Sequence, residues 1–192
     1  MAIVLSERTE ILHVPYGPLS HDGDLNIGYV DVKTNPAFIP ILPPCIGWPE
    51  TQELLRSINA SHSPFMSLAT HQCFSDGQHQ NQPVRLISFV TLCLAEITHN
   101  HKTMICGLAA FLLTRMNQLL QEISESLAQR LHLEVVLESQ RTAYHQSGIE
   151  GWSLTIFMDA SGQEYPNVRE TWGWGIHALI DALADYPVQE KP

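Results

Sequence analysis

The chain has 192 residues, with 20 Asp and Glu against 10 Lys and Arg and a formal net charge of -10 at pH 7. Its hydrophobic content of 44% excludes wholesale disorder, a collagen-like repeat and a coiled-coil rod. Because nucleic acids and anionic membrane surfaces attract Lys and Arg, the acidic balance argues against both as partners. The four cysteines form no C-x-x-C pair, so we expect reduced, buried side chains.

The first 49 residues are predicted to be a small β-rich lead-in to a single domain that spans residues 1–192. Residues 10–14 and 25–32 have strand character, and an Asp-Gly turn within residues 21–24 joins them as a hairpin. Five prolines between Asn35 and Pro49 then predict an extended, apolar connector that packs across the body. Whether the N-terminal strands join the main sheet is left open.

Residues 50–187 are predicted to form the body of the domain, with the element order α-β-β-α-β-β-α. The hydrophobic periodicity and the cap residues predict a helix over 50–59, followed by a hairpin of strands 65–74 and 84–97. A long helix then runs from Thr103 to about 130, and two strands follow at 131–137 and 152–158. The final helix is predicted to begin with a capping box of Asn167 and Glu170. The second hairpin strand is apolar on both parities and is expected to be covered on both faces. This order favours an α+β two-layer sandwich, a mainly antiparallel sheet with helices on one face.

The chain is expected to be cytoplasmic. Its N-terminus lacks the basic region and the apolar core of a secretory signal. The most apolar stretch, residues 86–113, is interrupted by a polar segment at 96–102, and each remaining half is too short for the ~20 residues that a bilayer requires.

Histidine supplies the only dense set of metal-ligand candidates, with ten residues in the chain. In a simple hairpin register His62 lies near His99 and His101, and three neutral imidazoles there could hold a divalent transition metal. No H-E-x-x-H motif or carboxylate at a diagnostic spacing accompanies them. We therefore expect no cofactor, with a metal site at these histidines as the alternative.

Tryptophan supplies the predicted contact residues. Trp172 and Trp174 are two positions apart in the last helix and point to different faces, so one of them is expected at the surface. An exposed Trp often anchors a partner or a ligand, and Trp48 in the apolar connector is a third candidate. Gly173 and Gly175 weaken this helix and therefore indicate either close packing of helix against sheet or a late helix start near Gly175.

No motif in the sequence predicts a reaction, since G-x-S-x-G, P-loop and G-x-G-x-x-G patterns are all missing. The element order, acidic pI and small size resemble those of acidic secretion chaperones and other compact binding modules, in topology alone. We therefore expect a non-enzymatic binding, adaptor or assembly-chaperone-like protein that acts through protein–protein contacts, with a homodimer as a further option. Two alternatives are a small metal-dependent enzyme or metal carrier that uses the histidines, and a binder of an apolar small molecule held between sheet and helices.

Overall fold

A computed structural model describes residues 1–21, 24–79, 82–127 and 132–187. Its strands are β1 (Ala2–Val14), β2 (Leu19–His21), β3 (Asp24–Asn26), β4 (Phe65–His79), β5 (Gln82–Leu94), β6 (Leu133–Tyr144) and β7 (Ile149–Gly162). Its α-helices are α1 (Pro49–Asn59), α2 (Lys102–Leu127) and α3 (Tyr165–Ala184). The predicted α+β class and the α-β-β-α-β-β-α order of the body are confirmed.

The main sheet has five strands in the order β1-β6-β7-β5-β4, and β2 and β3 form a separate hairpin. The pairs within β4, β5, β6 and β7 are antiparallel, whereas β1 pairs with β6 in parallel. The sheet is therefore mixed, and β1 is an added edge strand. Most of β1 is exposed, so it lacks the hydrophobic alternation from which strands are recognised; the sequence predicted only residues 10–14 of it.

The helices pack on one face of the sheet, where they form the main hydrophobic core. Alternate residues of the two central strands point into it: Leu86, Val90 and Leu92 from β5, and Leu154, Ile156 and Met158 from β7. The predicted apolar stripe of α2 supplies Ile105, Leu108, Leu112, Met116 and Leu120. Because each element offers one apolar side at its own period, helices and sheet bury those sides against each other.

Helix α2 begins one residue before the predicted Thr103 and is described as far as Leu127. Residues 128–130 of the prediction lie outside the described residues.

By its length and its mean hydropathy of 1.3, helix α2 is long and apolar enough to cross a membrane. Core helices of soluble proteins share both properties, and 33% of its most apolar window is buried inside the protein.

The proline-rich connector is helical and not extended, which corrects the prediction. It forms two 3-10 helices, Pro36–Ile41 and Pro43–Cys45, because the fixed φ of proline suits a tight helical turn as well as an extended chain. Ile39 and Cys45 within it are fully buried in the main core.

Several predicted boundaries are also wrong. Strand β5 ends at Leu94 and not at 97, β6 runs on to Tyr144, and β7 spans Ile149–Gly162. Strand β3 pairs with β2, whereas residues 12–14 pair with β6, so the predicted hairpin of 10–14 with 25–32 does not form. Strand β3 ends at Asn26, and the chain continues without strand structure to residue 32, while residues 22 and 23 of the predicted turn lie outside the described residues. Helix α3 begins at Tyr165 with Glu164 as its N-cap and without a side-chain cap, so the capping box of Asn167 and Glu170 does not form. Pro166 favours the first turn of a helix, which explains the earlier start.

Close packing of α3 on the sheet explains one of its two glycines. A Cβ on Gly175 would lie 3.0 Å from Leu133 Cδ2 and 3.3 Å from Met158 Sδ, so a larger residue there would press on these two side chains of β6 and β7. Gly173 has no neighbour within 4 Å of such a Cβ, and no contact explains it.

The cysteines differ in burial, which gives a direct test of the fold. Cys45 and Cys93 are buried, Cys106 is partly exposed and Cys73 is exposed on edge strand β4, which corrects the expectation that all four are buried. Burial raises the pKa of Cys93 to about 12 and that of Cys45 to about 11.

Because only the thiolate reacts, we expect a disulfide reagent at pH 8 to label Cys73 and Cys106 in the native protein and all four thiols after unfolding. Rapid labelling of Cys45 or Cys93 in the native protein would contradict this packing, and Cys73→Ser is the control for the exposed thiol.

Candidate functional site

The face of the sheet opposite the helices carries the candidate site. After β1 the chain folds back on itself, and the Tyr29 N–H donates to the Tyr16 carbonyl at 3.0 Å. Gly28 has a φ of +88°, and a Cβ there would lie 3.0 Å from Pro18 N and 3.1 Å from Tyr16 O, so this close approach requires glycine. We call this segment, residues 15–21 and 24–32, the arm.

The arm covers one end of this face and forms a second, smaller core with it. Its buried members are Val14, Leu68, Cys93 and Tyr144. The Tyr16 hydroxyl donates to the Leu68 carbonyl at 2.9 Å and fastens the arm to β4. Burial raises the pKa of Tyr144 and raises that of Tyr29 to about 12, the latter aided by the Asp31 carboxylate, so both phenols stay neutral at physiological pH.

Beyond the arm the sheet face is only half-buried and carries aromatic side chains. Phe89 on β5 is paired in register with Phe157 on β7 and with His71 on β4. Its ring centroid lies 5.9 Å from that of Phe157 and 6.2 Å from that of His71. The sequence predicted β5 to be covered on both faces, and the structure shows that its second face is fully covered only at Thr91 and Cys93, next to the arm.

A groove of about 610 Å³ runs between the arm and this aromatic row. It is lined by residues of all five strands of the main sheet, of the arm and of the connector, and by Leu55 of α1. On its floor the Thr91 and Thr155 hydroxyls are 2.8 Å apart, and Gln140 Nε2 donates to Thr155 Oγ1 at 3.3 Å. This volume lies within the range typical of small-molecule sites. Its imidazole and guanidinium groups can bind and orient a ligand by hydrogen bonds and charge.

A pair of histidines lies at the β1 end of the groove. His13 Nδ1 and His145 Nε2 are 2.9 Å apart and the two rings are nearly parallel, so either nitrogen can donate to the other, depending on the tautomers. His13 lines the groove. The sequence analysis did not select either residue, because they lie 132 positions apart and meet only through the parallel pairing of β1 with β6.

The predicted tryptophans lie on the other side of the sheet. Trp172 is 1% exposed and donates from Nε1 to Ser88 Oγ at 2.7 Å, so it belongs to the core and presents no contact surface. Trp174 is partly buried against the same core. Trp48 is half-buried, packs edge-on against Trp172 and carries the Arg169 guanidinium 4.8 Å above its ring. None of the three lines the groove. A ligand held between sheet and helices stays a prediction.

The predicted metal ligands His62, His99 and His101 are exposed in the loops at one end of β4 and β5. The hairpin register places these loops at the same end of the sheet, because Phe65 pairs with Leu94. In the described ranges no group of three or more His, Cys, Asp or Glu has an arrangement that could hold a metal ion. A metal at these histidines stays a prediction, which elemental analysis of the purified protein tests.

The connector displays a second candidate surface. Phe38, Ile41 and Ile46 are exposed by 45%, 66% and 64%. Residues three apart in a 3-10 helix lie above one another, so Phe38 and Ile41 share one side while Ile39 is buried on another. The apolar composition of residues 35–49 was the sequence signal for this surface; which of its side chains point outward depends on the helical turns.

Comparisons of the chain with protein-family models, with curated proteins and with solved structures give no match.

Proposed function

We propose that the protein is a non-enzymatic binding protein that acts through protein–protein contacts, with the connector as its contact surface. The observation that carries this proposal is the exposure of Phe38, Ile41 and Ile46 within nine positions of each other. Apolar residues scattered singly on a surface are ordinary, whereas a cluster marks an interaction site. Its cytoplasmic location and a homodimer remain predictions.

The connector is held in one conformation before a partner arrives. Ile39 and Cys45 anchor it in the core, Gln52 Nε2 donates to the Cys45 carbonyl at 2.9 Å, and the Gln72 amide donates to the Pro44 carbonyl. A rigid contact segment loses little conformational entropy on binding, so more of the contact free energy appears as affinity.

The charge distribution indicates the chemistry of the partner. Residues 35–49 contain no charged side chain, in a chain with a net charge of -10. At their border Arg169 is engaged, because its guanidinium pairs with Glu50 at 3.1 Å and donates to the Gly47 carbonyl. The complementary surface is an apolar patch with Lys and Arg at its rim.

The test is to replace the two most exposed isoleucines by Glu together, as Ile41→Glu with Ile46→Glu. The untagged native protein is expected to form a stoichiometric complex with one polypeptide, observed by native mass spectrometry, and the double variant is expected to lose it by at least about tenfold in affinity. Two carboxylates buried at the centre of the contact would lack partners, which explains the size of the effect.

Leu5→Glu is the matched control, because Leu5 is 53% exposed on β1, away from the connector. It should bind the same polypeptide as the native protein, and all variants should unfold at the same temperature. Equal binding by the double variant, or a native protein that forms no complex, would overturn the proposal.

A further inference from the structure

The groove beside the arm has a charge pattern that differs from that of the whole chain. None of the described residues that line it is Asp or Glu, although the chain holds 20 of them against 10 Lys and Arg. Its ionisable nitrogen groups are Arg8, His13 and His71. Arg8 and His13 both lie on β1 and therefore make one end of the groove the site for an anionic group.

The rest of the groove favours an apolar chain. Its walls include Val30 from the arm, Leu68 from β4 and Phe157 from β7. The polar atoms on the floor are hydrogen-bonded to each other, as the Thr91 and Thr155 hydroxyls and the Gln140 amide show. An alkyl chain can cover these groups without leaving them unpaired, which removes the usual penalty for burying polar atoms.

The length of the groove follows from the strand order. From β1 to β4 the sheet has four gaps between strands, each about 4.8 Å wide, so the groove extends roughly 19 Å across the sheet. An extended alkyl chain such as that of palmitate matches this length. We propose that the groove binds a long-chain carboxylate, with the carboxylate near Arg8 and the chain directed past Phe157 towards Leu68.

Substitutions of Arg8 and Glu10 test whether Arg8 binds the carboxylate of the ligand, because one should lower the affinity and the other should raise it. In the unliganded protein Arg8 Nη2 pairs with Glu10 Oε2 at 2.7 Å, and both side chains are exposed. The Glu10 carboxylate thus competes with the ligand for Arg8. Removing Arg8 should weaken binding of a carboxylate, and removing the charge of Glu10 should strengthen it.

The experiment is a calorimetric titration of the delipidated full chain with laurate and with dodecanol, two probes that share one alkyl chain and differ in charge. Laurate is expected to bind one to one and more tightly than dodecanol. Arg8→Gln should weaken laurate about fivefold, Glu10→Gln should strengthen it about threefold, and neither should change dodecanol by more than about twofold. Arg141→Gln is the control, because Arg141 pairs with Glu150 outside the groove.

Two further variants locate the chain of the ligand. Ala69→Met adds volume inside the groove, and Phe157→Ala removes part of its apolar wall; each should weaken both probes about tenfold. Unchanged binding in both variants, or no one-to-one binding of either probe to the native protein, would overturn the site. Equal affinities for laurate and dodecanol, unaffected by Arg8→Gln and Glu10→Gln, would overturn the carboxylate. The inference is independent of the proposed function, since none of these variants changes Phe38, Ile41 or Ile46.

Discussion

Trp172→Ala is expected to lower the free energy of unfolding by about 3–5 kcal/mol, the range for truncating a large buried aromatic side chain. Trp172 is the bulkiest of the fully buried side chains in the described chain. Its ring lies edge-on to Trp48, with centroids 5.4 Å apart. The substitution would leave a cavity beside α3 and would also remove the indole donor of Ser88 Oγ, which is buried.

Urea unfolding followed by circular dichroism measures this effect. Trp172→Phe keeps most of the ring volume and removes the hydrogen bond, so it should lower the free energy of unfolding by only about 1–2 kcal/mol. Combining Trp172→Phe with Ser88→Ala should recover part of that loss, because no buried hydroxyl is then left unpaired. A loss below about 1 kcal/mol for Trp172→Ala would contradict this packing.

The body of the fold could be predicted because its elements bury one side at a regular period. Helix α2 shows this most directly, since its apolar residues recur every three or four positions and face the sheet. The boundaries were less predictable, because they depend on local backbone choices. Asn167 has the chemistry of an N-cap, yet Pro166 stabilises an earlier first turn and the helix begins at Tyr165.

The candidate site could not be predicted in this way. Arg8, Val30, His71 and Thr155 lie far apart in the chain and meet only because β1 adds to β6 and the arm folds over the sheet. The parallel pairing of an exposed edge strand leaves little hydrophobic pattern in the sequence. The connector surface could be predicted in part from the sequence, because its composition indicates an apolar segment. The structure was needed only to show that Ile41 and Ile46 point outward.

Asn100→Ala is expected to lower the free energy of unfolding by about 3 kcal/mol, although it removes a small side chain. Asn100 is 1% exposed. Its Oδ1 accepts from the Leu94 N–H at 2.8 Å, and its Nδ2 donates to the Leu94 carbonyl at 2.9 Å. It thereby satisfies both backbone groups at the end of β5, and Ala would leave this donor and acceptor buried without partners, at about 1–3 kcal/mol each.

The same site is part of a close approach between the β5–α2 connection and β7. The Trp152 N–H donates to the Asn100 carbonyl at 2.8 Å. A Cβ on Gly151 would lie 3.0 Å from that carbonyl oxygen, so this close approach leaves no room for a side chain at position 151. Urea unfolding measures the loss for Asn100→Ala. A loss below about 1 kcal/mol would contradict the two bonds to Leu94.

Asn100→Asp turns this arrangement into a pH-dependent one. A protonated Asp can donate to the Leu94 carbonyl and accept from its N–H as Asn does, whereas an ionised Asp faces that carbonyl with a second negative oxygen. The pKa of this carboxyl in the folded variant should therefore lie above its value of about 3.9 in the unfolded chain. The folded variant then binds the proton more tightly, so its stability is greatest below the unfolded pKa and falls as pH rises towards the folded pKa.

Urea unfolding of the native protein and the variant from pH 4 to pH 8 measures this effect. The difference between their free energies of unfolding should grow with pH, and a constant difference would mean that position 100 does not face the Leu94 carbonyl.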